Sequence, residues 1–103
     1  MPCWHLYLIR TMEGSLYTGI TTDVQRRYRE HLDQGGKAAH YLRAHKPLCL
    51  AFSQIIGDRS LALKVERRFK RLSKKIKERI AASGRLDFDR LSGEILFPDQ
   101  DRA

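Results

Sequence analysis

The sequence predicts an α/β fold: a small three-stranded, antiparallel-type sheet with flanking helices, in the order β-β-α-β-α-α. Three observations predict it. Two aromatic and branched stretches, "CWHLYLIR" and "LYTGI", are separated only by the glycine turn "TMEGS", so they pair as an antiparallel hairpin. A capped helical segment follows and leads to a third apolar run, "LCLAFSQII". Beyond it stand two serine-started segments with apolar residues at helical spacing, whose apolar stripes need a sheet face to cover them.

Each element has its own signals. In the hairpin, Trp4 reads as a core or hairpin-face residue ahead of a base-stacking platform. "TTDVQRRYREHLDQGG" carries Thr22 as N-cap, Asp23 in the first turn and Gly35-Gly36 at the stop. "KAAHYLRAHKP" reads as a short helical turn closed by Pro47. "SLALKVERRFKRL" starts at Ser60, and "SKKIKERIAA" restarts at Ser73 and stops before Gly84. Two caps predict a bend near Ser73 and not one long rod. From Gly84 onward Leu86, Phe88, Leu91 and Ile95 follow no clean period. The expected organisation is one domain over residues 1–83 with an extension over 84–103, either mobile or packed on the domain.

At 103 residues the chain supports one modest core. No apolar run approaches the roughly 18 residues of a membrane span, and the start lacks the pattern of a secretory signal. A cytoplasmic address without a membrane partner is the default. Cys3 and Cys49 have no metal-like spacing and are expected as thiols. The charge is more informative. The net charge is +8, and residues 1–83 hold 17 basic and 7 acidic side chains, while 84–103 hold 3 and 5. A basic body of this strength points first to a polyanion, nucleic acid before membrane surface. No protein partner can be inferred.

The candidate chemical groups cluster on two helices. At about 100° per residue, Val24, Tyr28 and Leu32 make an apolar stripe, and Arg27 and His31 fall together along one edge of it. Arg26, Arg29 and Glu30 point the other way. The pair could reach a cleft beside the sheet, or could simply be a helix-edge pair whose arginine stem covers apolar surface. In the next helix Leu61, Ala62, Val65, Phe69 and Leu72 form the stripe, with Glu66 just off its edge. Nine basic residues lie between Lys64 and Arg79, against Glu66 and Glu78. Within that field Glu66 could be an ion-pair partner, or could hold one divalent cation. A lone carboxylate suits Mg²⁺, which keeps several waters and takes further ligands from phosphates. His5, His40 and His45 share no ligand spacing, and "GGK" lacks the surroundings of a phosphate loop. Tyr41, set among basic and imidazole groups, is a fair strand contact.

With these residues in place, the chain resembles the GIY-YIG endonuclease superfamily over about residues 3–82, especially its small stand-alone bacterial members. Leu6-Tyr7-Leu8 stands where the family has its first tripeptide and Tyr17-Thr18-Gly19 where it has the second. Arg27 matches the arginine of the first helix, His31 the His/Tyr position one turn on, and Glu66 the metal-binding glutamate. The first tripeptide lacks glycine and the second has threonine for isoleucine. Ile20 stands where some relatives carry lysine, and the chain has no asparagine, which several relatives place near the site.

The resemblance implies phosphodiester hydrolysis at a single divalent cation, Mg²⁺ or Mn²⁺. Tyr17, or Tyr7 or His31 with it, would help deprotonate the attacking water. Arg27 would neutralise the phosphate and Glu66 would anchor the metal. The expected function is a metal-dependent endonuclease acting on DNA before RNA, on branched, nicked or single-stranded forms, with a place in DNA repair. The alternative is a nucleic-acid-binding module of the same fold with weak or lost catalysis. Lys37, Arg43, Lys46, Lys74, Lys75 and Lys77 are the expected phosphate contacts.

Overall fold

β1 (Trp4–Thr11) and β2 (Leu16–Thr21) form the predicted hairpin, and β3 (Pro47–Gly57) pairs antiparallel with the other edge of β1. The sheet order is therefore β2-β1-β3. This computed structural model describes residues 2–97. The helices are α1 (Val24–Leu32), α2 (His40–Ala44), α3 (Arg59–Lys70) and α4 (Lys74–Ser83), and a two-stranded hairpin of β4 (Asp87–Phe88) and β5 (Ile95–Leu96) ends the described chain.

The period of two along β1 divides the molecule. Leu6 and Leu8 enter one cluster with Phe52, Ile56, Val65, Phe69 and Ile80. Tyr7 and Ile9 point the other way, towards Leu42, Tyr17, Val24 and Tyr28. Thus α3 and α4 cover one face and α1 and α2 the other. Leu6 through Ile9 are all buried, as a central strand covered on both sides requires. The first face holds most of the aliphatic core. The second carries the chemistry.

Three helix ends differ from the sequence expectation. Asp23, not Thr22, caps α1, accepting from Arg26 N at 3.0 Å. Asp58, not Ser60, caps α3, accepting from Leu61 N at 2.8 Å. In both places a carboxylate displaces a nearby hydroxyl, because its charge also favours a helix N-terminus. Ser73 does cap α4, accepting from Ile76 N at 3.3 Å. The stop of α1 lies before Gly35 and Gly36: Gln34 takes the left-handed conformation, φ 55°. Its side-chain amide donates to the carbonyls of His31 and Leu42, each at 2.9 Å, which offsets the strain of that backbone. Gly84, at φ 74°, ends α4 as the sequence indicates.

The apolar stripe of α1 is also rotated from its expected line. Leu32 is 45% exposed while His31 is 0% exposed. The reason is hydrogen bonding: both ring nitrogens of His31 find partners inside, so its burial leaves no polar atom unsatisfied.

Beyond α4, Leu86 is buried in the core, and its N–H and carbonyl pair with the Gln54 side chain at 2.9 and 2.8 Å. Phe88 and Ile95 pack partly against the same cluster. Residues 98–103 of the predicted extension lie outside the described residues.

Candidate active site

Three rings from three elements meet on the α1–α2 face of the sheet. Tyr7 (β1) and Tyr17 (β2) have ring centroids 6.3 Å apart, and His31 (α1) lies 5.9 Å from the first and 5.7 Å from the second. Tyr7 and Tyr17 are brought close because Tyr17 pairs with Ile9 and Gly19 with Tyr7 in the hairpin register. The Tyr7 oxygen is 2.9 Å from His31 Nε2, and the other ring nitrogen, Nδ1, accepts from Ala39 N at 3.2 Å.

Gly19 is what lets the Tyr7 ring lie where it does. A Cβ at this position would stand 2.5 Å from Tyr7 Cζ and closer still to its oxygen. The tyrosine ring thus closely approaches the β2 backbone at Gly19, an approach that only glycine permits.

Arg27, one turn before His31, enters the cluster from its edge. Its Nη1 donates to Glu30 Oε1 at 2.9 Å and to the Lys37 carbonyl at 2.5 Å. Glu30 does not point away as helical spacing suggests; it ties down this guanidinium and lies 4.0 Å from Arg26. Burial pushes the Tyr7 hydroxyl's pKa up and neighbouring Tyr17 adds to the rise, while the charge and hydrogen bonding of Arg27 pull it back. Burial, then the Arg27 cation, push His31 down to about 4. His31 is therefore neutral at physiological pH.

That depression has a consequence for stability. The unfolded His31 takes a proton near pH 6.5, and the folded one only near about 4. Above the first value both states are neutral and the full stability is present. As the pH falls from the first to the second, only the unfolded chain gains the proton, so stability declines. Urea midpoints at pH 7.5 and 4.5 should differ more in the wild type than in His31→Gln. Equal pH dependence in the two proteins would contradict this.

Glu66 sits on α3, on the far side of the sheet, yet its charge reaches Tyr7 and raises that hydroxyl's pKa. Its side chain is 17% exposed and pairs with Lys70 at 3.4 Å. No group of three potential metal ligands occurs among the described residues. A single hard carboxylate, partly exposed and held by one lysine, fits a cation such as Mg²⁺ that keeps most of its water.

The aromatic cluster continues outward. Tyr41 stacks on Tyr17 at 6.1 Å and His45 on Tyr41 at 4.2 Å. Tyr41 donates to Ser15 Oγ at 2.9 Å, and His45 meets Glu13 at 2.7 Å. These contacts fasten α2 to the β1–β2 turn.

Sequence comparison matches residues 3–80 to the GIY-YIG catalytic domain. The chain belongs to the GIY-YIG family. It is 58% identical over 84 residues to the UPF0213 protein YhbQ of Escherichia coli O8, covering 82% of each chain. It is 52% identical over 98 residues to a UPF0213 protein of Citrobacter koseri, covering 95% of each. Among solved structures, the solution structure of a UPF0213 protein from Bacillus halodurans is similar. It has a TM-score of 0.50 and 33% identity, covering 79% of this chain and 84% of that one. The GIY-YIG match takes in both tyrosine strands, α1 and Glu66, and ends inside α4. The β4–β5 hairpin lies beyond it.

Relative to the GIY-YIG cluster the six expected phosphate contacts fall into two groups. Lys37, Arg43 and Lys46 lie on the α1–α2 loop, on α2 and just after it, on the Tyr7 side. The Lys37 carbonyl holds Arg27, and Arg43 donates to the Gly36 carbonyl at 2.8 Å. Lys74, Lys75 and Lys77 belong to α4, on the opposite layer. Lys74 alone reaches the hairpin turn, 3.3 Å from the Gly14 carbonyl. The contributions of Gly19, the Lys37 carbonyl and the Ala39 amide have no sequence signal beyond a glycine in a strand, because two of them are backbone groups. No helix among the described residues is long and apolar enough to cross a membrane.

Proposed function

We propose that this protein is a metal-dependent endonuclease that hydrolyses phosphodiester bonds in DNA. The observation that carries the proposal is the convergence of Tyr7, Tyr17, Arg27 and His31 on one face. In this reading water attacks phosphorus, a new P–O bond forms and the ester P–O bond breaks. Half-buried Tyr17, in its phenolate form, takes the water's proton, and the departing oxygen leaves with a proton from solvent. Tyr7 is buried and its hydroxyl is held protonated, so it orients by hydrogen bonding. His31, neutral, fixes Tyr7. Arg27 is pinned by Glu30 and the Lys37 carbonyl, a preorganised cation for charge that grows on the phosphate. Glu66 would hold Mg²⁺ or Mn²⁺, which supplies Lewis-acid stabilisation of that same charge.

Exposed Tyr41 and half-buried His45, at the outer end of the ring cluster, suit contact with unpaired bases. They favour single-stranded DNA, or branched and nicked DNA with local unpairing, as met in DNA repair. The test is a panel of labelled single-stranded, duplex, flap and RNA substrates with Mg²⁺ or Mn²⁺ and an EDTA control. Metal-dependent cleavage of the unpaired DNA forms is expected. Binding without cleavage under every condition would assign the chain to the binding-module reading.

Phosphate binding by α4 makes a separate expectation. Changing Lys74, Lys75 and Lys77 together to Ala should weaken binding of all sequences alike. The salt slope should fall by about 1 for each of these lysines that meets a phosphate. An unchanged slope would confine the binding surface to the Lys37–Lys46 side.

A further inference from the structure

The hydrogen bonds around His31 determine which way the proton runs between it and Tyr7. A neutral imidazole has one N–H and one bare nitrogen. The Ala39 N–H points at Nδ1 from 3.2 Å, so Nδ1 is the bare one and Nε2 carries the hydrogen. Nε2 faces the Tyr7 oxygen at 2.9 Å. In this state Tyr7 accepts from His31, and its own hydroxyl hydrogen is left free for a phosphate oxygen or a water. In the opposite tautomer Tyr7 would donate to Nε2, and the pair would form a relay able to carry a proton away from water.

We infer that the backbone N–H of Ala39 is a positioning group: it locks His31 in the Nε2–H tautomer and so turns Tyr7 into a donor towards the cleft, excluding the Tyr7–His31 relay. The part concerning the cleft rests on the nuclease reading; the tautomer does not. Ala39 is well placed for the task. Its carbonyl accepts from Leu42 N at 3.0 Å and Arg43 N at 3.2 Å, and Ala38 N donates to the Gly35 carbonyl at 3.0 Å. Two residues earlier in the same loop the Lys37 carbonyl holds Arg27. One short segment thus sets both polar side chains that α1 brings to the cluster. Protonating His31 would place a second hydrogen against the Ala39 N–H, which agrees with its resistance to charging beside Arg27, with Tyr7, Tyr17 and Glu30 the other titratable groups about it.

The tautomer can be read directly. In ¹⁵N-histidine-labelled wild type at pH 7.5, two-bond ¹H–¹⁵N spectra should show His31 with a pyrrole-type Nε2 and a pyridine-type Nδ1. The signals are assigned by their loss in His31→Gln. A pyridine-type Nε2 would overturn the inference. The second measurement replaces the Ala39 amide with an ester, using lactic acid at position 39 and ligation at Cys49 to remove the N–H without adding bulk. The His31 signals should then move towards the Nδ1–H pattern while the rest of the folded spectrum stays in place. His31 signals unmoved by the ester would also overturn it. If both measurements come out as expected and no substrate is cleaved, the nuclease reading fails and the tautomer lock stands.

Discussion

Gly19→Ala should cost more stability than any other single-methyl change in the sheet, and should abolish cleavage with it. The added Cβ would fall 2.5 Å from Tyr7 Cζ and 2.9 Å from Cε1, and the ring cannot retreat. Its oxygen is bonded to His31, and the ring is packed with Ile9 and Leu42 in a buried cluster. Overpacking typically costs about 1–3 kcal/mol, and a rigid neighbour places this site near the upper end of that range. For a domain of this size that corresponds to a fall in Tm on the order of 10–20 °C. Gly36→Ala is the matching control, since nothing lies within 4 Å of its Cβ position. Adding Tyr7→Leu to Gly19→Ala should restore much of the stability and none of the cleavage, because the clash is gone and so is the hydroxyl. A Gly19→Ala protein that melts with the wild type would mean that Tyr7 can lie elsewhere.

Glu66→Gln should produce the opposite pattern, normal folding with cleavage nearly lost. The substitution keeps size and packing and removes one charge. Its ion pair with Lys70, at 3.4 Å between neighbouring turns, contributes on the order of 0–1 kcal/mol. Loss of an electrostatic group that acts on the transition state typically costs about 100- to 1,000-fold in rate. Glu78 offers no substitute, since Arg10 holds both of its oxygens, at 2.5 and 2.7 Å. Binding of DNA in EDTA should persist or tighten slightly, as a negative charge has left a basic face. Melting temperature, affinity in EDTA and rate in Mg²⁺ together check this. A stable variant that cleaves at the wild-type rate would remove Glu66 from the reaction.

The main architecture is legible because its signals are local. The hairpin, the Ser73 bend and the Gly84 stop each depend on a few adjacent residues, and all three stand where the sequence puts them. The caps at Asp23 and Asp58 lie one or two residues from their expected places, since hydroxyl and carboxylate compete for the same N–H groups and only the folded backbone decides. The tyrosines, Arg27, His31 and Glu66 can be singled out by type and order, but helical angles alone give His31 only an edge position. Its full burial depends on Tyr7 from β1 and on the Ala39 amide, both distant or invisible in a pattern of side chains. Glu30 reads as facing away for a similar reason: helical angle describes where a side chain starts, and a long carboxylate and guanidinium still meet. The β4–β5 hairpin has no period to show, because each strand has two residues and Gln54, far away in sequence, holds Leu86.

Single-turnover cleavage by Tyr17→Phe tests the central claim most directly. The change keeps the ring that meets His31 edge-on and stacks on Tyr41, and deletes only the hydroxyl, so Tm and DNA affinity should match the wild type. With saturating protein, labelled single-stranded DNA and Mg²⁺, the rate should fall by about 100-fold or more, the scale of losing a general base. A Tyr17→Phe protein that cleaves at the wild-type rate would contradict the account.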